Sequence, residues 1–269
     1  MDAESKGKVN SPVQAEGWAA CLPHLANNGP DMGHQYFRGQ TPPTASGMDF
    51  FYTRIMHGLQ VQGILFDLDG VLIDSTAGVT RVWREWGVRH GLDPTETAHA
   101  AHGRRAIDSV RLLQPALDAE AELRDLERRE IAESHDVAII PGAARLLASL
   151  PARRWAIVTS GTRDLASHRL RVAGLPVPEL MITGSDIEHG KPHPEPYQRG
   201  AALLGLAPGA CVAVEDAPNG ILSAVAAGMP VLGVATTYPA AELDQATALL
   251  PSLAALRVTI VGDLIQLNW

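Results

Sequence analysis

Residues Ile64–Ser75 spell ILFDLDGVLIDS, an apolar run ending in two carboxylates one residue apart, Asp67 and Asp69, with a glycine directly after them. Like charges that close repel, and desolvation at the end of a buried strand strengthens the repulsion. Either the stretch is an ordinary strand-to-turn junction, where Asp and Gly are common, or the acids serve a cation and a reaction. Other short apolar runs end in a similar way. Thr159 and Ser160 follow AIV, Glu215 and Asp216 follow VAV, and Lys191 lies in HGKPHPEPY after a fourth run. In an open parallel sheet, ligands bind beyond the carboxyl ends of the strands. Four carboxylates, two hydroxyls and one ammonium could therefore meet in one crevice. Carboxylates that crowded suit a hard cation, and with positions left for water and a phosphate oxygen Mg²⁺ is the natural choice. Asp67 could then attack an electrophile while Asp69 holds a proton for the leaving group. Gly70 would let the turn adopt angles closed to a side chain.

Each signal has a plainer reading by itself. Thr159 suits a strand because it is β-branched, Lys191 could be a solvated loop lysine, and Glu215 and Asp216 could cap a following helix. Their shared position at the ends of successive runs argues against so many coincidences.

The elements that must position these residues are visible as well. QGILFD, RWAIVT, ELMIT, CVAVE and PVLGVA each have strand length, and most precede a helix-compatible segment. That alternation predicts an α/β fold with a parallel sheet covered on both faces. Between Thr76 and Ile140 the pattern is helical only, including AEAELRDLERREIAES over Ala119–Ser134, where Leu123, Leu126 and Ile131 stand among dense charge. A helical cap is thus expected over residues 77–140, inserted into a core made of residues 60–76 and 141–269. Residues 1–59 are rich in Gly, Pro, Asn and Gln without a sustained period, and are expected to form an unstructured extension. Met48 and Met56 near its end are alternative starts for the compact domain, an expectation that N-terminal sequencing of the native protein would remove if the sequence began DAESKG.

A formal net charge of -8 offers no basic surface for a phosphate backbone, so nucleic acid is not an expected partner. Cys21 and Cys211 stand far apart without metal-ligand spacing, which argues against a disulfide framework or a zinc site and favours a reducing, cytoplasmic setting. No apolar run approaches the ~20 residues of a membrane helix, and MDAESKGKVN lacks the apolar stretch of a secretory signal. A monomer or weak homodimer acting on a small molecule is expected.

FDLDGV, IVTSG, GKPHPEPY and VEDAPNG, in this order, resemble the four motifs of the haloacid dehalogenase superfamily of phosphohydrolases, and the resemblance runs from about Gln62 to the C-terminus. It implies a Rossmann-like core with an inserted helical cap. AHGRRAIDSVRLLQP, RRWAIVTSGT and MITGSDIEHGKPHPEPY further resemble the small sugar phosphatases that act on hexose, deoxyhexose or polyol phosphates. By that resemblance Asp67 is the nucleophile that forms an aspartyl-phosphate, and Asp69 protonates the leaving alkoxide and then activates water. Thr159 and the Ser160 amide bind the phosphoryl group, Lys191 offsets its charge, and Asp216 holds Mg²⁺ with Asp67 and the Asp69 carbonyl. Glu215 is a further ligand or a partner behind the ligands.

Four rivals compete with this expectation. Dehalogenases of the superfamily lack the second Asp that is present here as Asp69. Mutases resembling β-phosphoglucomutase carry an arginine two residues before an acid and serine pair, where this chain has Ala106 before Asp108 and Ser109, and a histidine early in the first cap helix, replaced here by Val79. A silent binding protein on the same fold would have lost Asp67, Asp69 or Lys191. A dinucleotide-binding dehydrogenase is excluded because no strand run is followed by G-x-G-x-x-G.

In the cap, His102, Arg104 and Arg105 flank a glycine and could reach over the crevice to read a sugar or a second anionic group; a solvated basic patch is the alternative. Trp83 and Trp86, at helical spacing, fit cap packing, whereas His90, His99 and His135 carry no partner pattern. A cap that closes over substrate predicts hinges near Ser75–Thr76 and Pro141–Gly142.

Overall fold

A computed structural model describes residues 58–269. Its first elements are β1 (Gly58–Val61), β2 (Gly63–Phe66) and β3 (Ile73–Asp74), followed by the helices α1 (Thr76–Arg89), α2 (Pro94–Ala101), α3 (Ala106–Leu113) and α4 (Ala119–Ala132). The chain continues through β4 (Ala138–Ile139), α5 (Ala143–Ala148), β5 (Trp155–Val158), α6 (Arg163–Val172), β6 (Met181–Ile182), α7 (Glu195–Leu203) and β7 (Cys211–Glu215). It ends with α8 (Pro218–Ala226), β8 (Val231–Val234), β9 (Ala248–Leu250), β10 (Arg257–Val261) and β11 (Leu264–Asn268).

Strands β2, β5, β7 and β8 are buried along their whole length, the signature of a parallel sheet covered on both sides. The six-stranded sheet has the order β6-β5-β2-β7-β8-β9, with every neighbouring pair parallel. Alternate residues of a strand face opposite ways, and two cores result. Ile64, Phe66, Ile157, Val212 and Val214 pack with Ala143, Leu146, Ala166 and Leu170 of α5 and α6. Leu65, Ala156, Val158 and Ala213 pack with Tyr197, Ala201, Ile221 and Ala224 of α7 and α8. Because β5, β2 and β7 are neighbours, the residues that follow them arrive at one place on the sheet edge.

The cap is helical as expected, with its own core of Val82, Trp83, Trp86, Ala98, Ala101, Val110 and Leu126. Trp83 and Trp86 meet edge to face with centroids 5.5 Å apart. At its base, β3 and β4 pair antiparallel, Ile73 opposite Ile139 and Asp74 opposite Ala138, so the two chain crossings between cap and core are tied to each other.

Three features depart from expectation. The extension expected over residues 1–59 lies outside the described residues except at Gly58 and Leu59, and these belong to β1, paired with Asn268 and Leu267; the folded region therefore begins earlier than residue 60. A second sheet, antiparallel in the order β1-β11-β10, was not foreseen. ELMIT contributes only the two residues of β6. Among the described residues, no helix is long and apolar enough to cross a membrane.

Candidate active site

The loop after β2 is shaped by its backbone. Asp67 N–H donates to Val214 O at 3.0 Å, continuing the sheet, and then Gly70 N–H reaches Ile73 O at 2.7 Å while Leu72 and Ile73 N–H turn back to Leu68 O. Gly70 has φ of 82°, and a Cβ there would lie 1.9 Å from Asp216 Oδ2. Glycine is required both by the backbone angle and by the close approach of a second acid.

Around this loop the expected charges meet. Asp67, Thr159, Lys191, Glu215 and Asp216 are all buried. Lys191 Nζ donates to Asp67 Oδ1, to Glu215 Oε1 at 2.6 Å and to Val158 O at 3.1 Å. Glu215 Oε1 also accepts from Tyr197 Oη at 2.7 Å, and Glu215 Oε2 accepts from the N–H of Asp216 at 3.1 Å and of Ala217 at 3.3 Å. Both Glu215 oxygens are thus engaged, which makes it the anchor of Lys191 and of the turn after β7. Tyr197 was not picked out from the sequence.

Three buried carboxylates against one ammonium leave two negative charges uncompensated. Burial, ahead of the opposing pull of Lys191, pushes the Asp67 carboxyl up to about 8, and burial together with Glu215 and Asp67 pushes Asp216 well above the usual carboxylate range. Oxygens of Asp67, Glu215 and Asp216 lie within 4.8 Å of one another. Hard oxygen donors with a charge deficit of two fit a divalent cation such as Mg²⁺.

Asp69 stands beside this group with its side chain 29% exposed. Its Oδ1 accepts from Ser75 Oγ at 2.6 Å and from Arg169 Nη1 at 3.0 Å. Arg169 Nη2 in turn reaches Glu130 Oε2 of the cap at 2.8 Å, and Glu130 Oε1 accepts from Trp83 Nε1 at 3.1 Å. Sequence reasoning missed Arg169 and Glu130. The available signal was a charge on an apolar stripe: Arg169 follows Leu165 by four residues, and Glu130 follows Leu126 by four.

A cavity of about 350 Å³ opens from the acids toward the cap and includes Val79, Trp83, Arg104, Ala106, Ile107 and Leu123 in its wall. The cap residues proposed from sequence have separate fates. Arg105 holds Asp108 through Nε and Nη2 at 2.7 and 2.9 Å, and its remaining N–H groups go to the carbonyls of Gly184, Ile187 and Glu188. All five guanidinium donors are committed, so Arg105 fastens the cap to the loop that carries Lys191 and is not free to bind substrate. Arg104 lines the cavity without an ion pair or side-chain hydrogen bond among the described residues. Ser160 Oγ donates to Gly103 O at 3.0 Å, a further tie between core and cap. His102 sets Nδ1 against Ala98 O at 2.7 Å, and burial holds its ring below the usual imidazole range.

A family model described as haloacid dehalogenase-like hydrolase matches residues 61–228. Hexitol phosphatase A of Escherichia coli is 43% identical over 206 residues, covering 75% of this chain and 95% of that protein. Glycerol-1-phosphate phosphohydrolase 1 of Saccharomyces cerevisiae is 37% identical over 194 residues, covering 67% of this chain and 77% of that protein. Among solved structures, a HAD family hydrolase of Deinococcus radiodurans with bound phosphate and sodium is 32% identical with a TM-score of 0.53, over 72% of this chain and 92% of that one. A β-phosphoglucomutase of Clostridium difficile, 22% identical, shares the fold with a TM-score of 0.63 over 73% of this chain and 93% of that one. A family match across most of the folded region and a relative at 43% identity agree with the acids gathered at the strand ends: the chain belongs to the haloacid dehalogenase-like hydrolases.

Proposed function

We propose that this chain is a Mg²⁺-dependent phosphatase that hydrolyses a small sugar or polyol phosphate through an aspartyl-phosphate, in the cytoplasm, as a monomer or weak homodimer. The observation that carries the reading is the pairing of two differently placed acids: Asp67, buried and held by Lys191, and Asp69, partly exposed beside a cavity of small-molecule size. The first suits a nucleophile and the second a proton carrier.

Asp67 attacks phosphorus and the bond to the alcohol oxygen breaks as Asp69 donates its proton to the departing alkoxide. Asp69 then takes a proton from water, which attacks the aspartyl-phosphate, releases phosphate and restores Asp67. Lys191 balances charge at Asp67, and Thr159 with the Ser160 amide receives the phosphoryl oxygens. Asp67, Asp216 and the Asp69 carbonyl would hold Mg²⁺, which when bound neutralises negative charge on the phosphoryl oxygens. Glu215 acts behind them by seating Lys191.

The relatives named for hexitol and glycerol-1-phosphate support a short polyhydroxy substrate. Arg104 and His102, which line the cavity, are assigned to its far end in this reading. A mutase needs a firm second anion site, and the committed donors of Arg105 together with Ala106 and Val79 in the cavity wall weigh against one. The net charge of -8 and the two separated cysteines support a small metabolite in a reducing compartment.

The test is phosphate release from hexose, deoxyhexose, hexitol and glycerol phosphates with Mg²⁺, beside Asp67→Asn and an EDTA control. Release that both controls abolish supports the reading. Interconversion of glucose 1- and 6-phosphates with bisphosphate priming, and no release, would replace it with the mutase.

A further inference from the structure

We infer that Arg169 is a positioning residue that makes the aim of Asp69 depend on where the cap sits. This rests on the reading of Asp69 as proton carrier in phosphate-ester hydrolysis.

Asp69 has one oxygen held and one left over. Ser75 and Arg169 both donate to Oδ1, and Oδ2 has no protein hydrogen-bond partner among the described residues. Two donors on one oxygen fix the carboxyl plane and leave the other oxygen for the substrate. Both donors are tied to the cap. Ser75 is the residue that leads into α1, at the crossing from core to cap. Arg169, on core helix α6, holds Asp69 with one guanidinium nitrogen and Glu130 of cap helix α4 with the other.

Glu130 is itself fixed. Trp83 Nε1 occupies its Oε1, Ser134 Oγ holds its carbonyl, and its side chain is 8% exposed. Arg169 is 5% exposed, and its Nε has no partner. The two carboxylates are thus the only side chains it pairs with among the described residues. A second strap runs parallel: Thr162, which caps α6, donates to Glu127, one turn before Glu130 on α4. Withdrawing α4 would strip Arg169 of one of its two counter-charges, and a buried cation left short of a partner does not hold its place. Its grip on Asp69 changes when the cap lifts, so the proton is correctly aimed only when the cap is seated over substrate.

The experiment compares esters that do and do not need that proton. An alkoxide leaving group must be protonated as it departs; p-nitrophenolate leaves without help. Single-turnover phosphoenzyme formation is measured on glycerol phosphate and on p-nitrophenyl phosphate for wild type, Arg169→Met, Arg169→Lys and Glu130→Gln. Arg169→Met should slow the alkyl ester at least tenfold more than the aryl ester, with KM within about twofold, which marks a loss felt in the transition state rather than in binding. Arg169→Lys should recover part of that loss. Glu130→Gln should shift the same ratio in the same direction, and should add nothing in the Arg169→Met background.

Since Arg169→Met leaves Glu130 buried and unpaired, the double variant Arg169→Met/Glu130→Leu, which removes both charges together, must show the same alkyl-to-aryl split. Equal losses on the two esters, or none on either, overturn the inference while leaving the phosphatase reading intact. A wild type that turns over neither the aryl ester nor any sugar or polyol phosphate of the panel above refutes the phosphatase reading and this inference with it; where glycerol phosphate is not turned over, the panel's best alkyl ester takes its place.

Discussion

Glu215 accepts from four donors, Lys191 Nζ and Tyr197 Oη on one oxygen and two backbone N–H groups on the other. A carboxylate can do this because both its oxygens accept; an amide cannot, because one end only donates. The seat is also cut to size, since a Cβ on Gly220 would lie 1.8 Å from Glu215 Oε1. Glu215→Gln would force an NH₂ group against either the Lys191 ammonium or the amides of Asp216 and Ala217. Breaking a buried ionic network of this kind costs about 3 kcal/mol, or a fall of roughly 6–12 °C in the metal-free Tm, which calorimetry would detect. An unchanged metal-free Tm with a weakened response to Mg²⁺ would instead make Glu215 a metal ligand. At this scale the acids themselves were legible, because a charge at the end of an apolar run stands out. Which acid anchors and which coordinates was not, since that depends on the Lys191 and Tyr197 side chains brought in from a distant loop and helix.

The two crossings between cap and core meet as β3 and β4, and Gly142, whose φ is 99°, is the residue that leads from them into α5. A Cβ at Gly142 would lie 2.6 Å from the Ala254 Cα, so the chain there has neither the backbone freedom nor the space for a side chain. Gly142→Ala should therefore cost roughly 2 kcal/mol or more, lowering Tm by about 4–8 °C; a thermal melt within a degree of wild type would show that the Ala254 segment gives way. The helical insert was legible from the change between alternating and purely helical patterns, and the fully apolar strands were legible for the same reason that they are buried. The antiparallel sheet was not. β10 is largely exposed, and β1 and β11 come from opposite ends of the described chain, so their partners are chosen by contacts that no local period records. Two-residue strands such as β3, β4 and β6 are likewise too short to carry a period.

Across the whole molecule, the charge left uncompensated at the sheet edge links stability to both pH and metal. The Asp67 carboxyl lies at about 8 in the folded chain against 3.8 when unfolded, because burial disfavours its charge. Between those values the folded state keeps a proton that the unfolded state has released, so metal-free stability is lost as pH rises through this window. Asp216, raised by burial in the same way, adds to the loss. His102 works in the opposite direction: buried and held below its ordinary value, it penalises folding as pH falls through about 6.5, where the unfolded imidazole gains its proton first. In the proposed site a divalent cation competes with protons for Asp67 and Asp216 and not for His102, so comparing melts with and without Mg²⁺ cancels the histidine contribution. Mg²⁺ at about a hundredfold above its Kd should add about 2.7 kcal/mol, raising Tm by roughly 5–11 °C at pH 8. At pH 5.5, where Asp67 holds its proton in the folded chain, the same concentration should add far less. Equal increments at the two pH values would mean that the cation binds somewhere other than these buried acids, and no increment at pH 8 would remove the metal from the site.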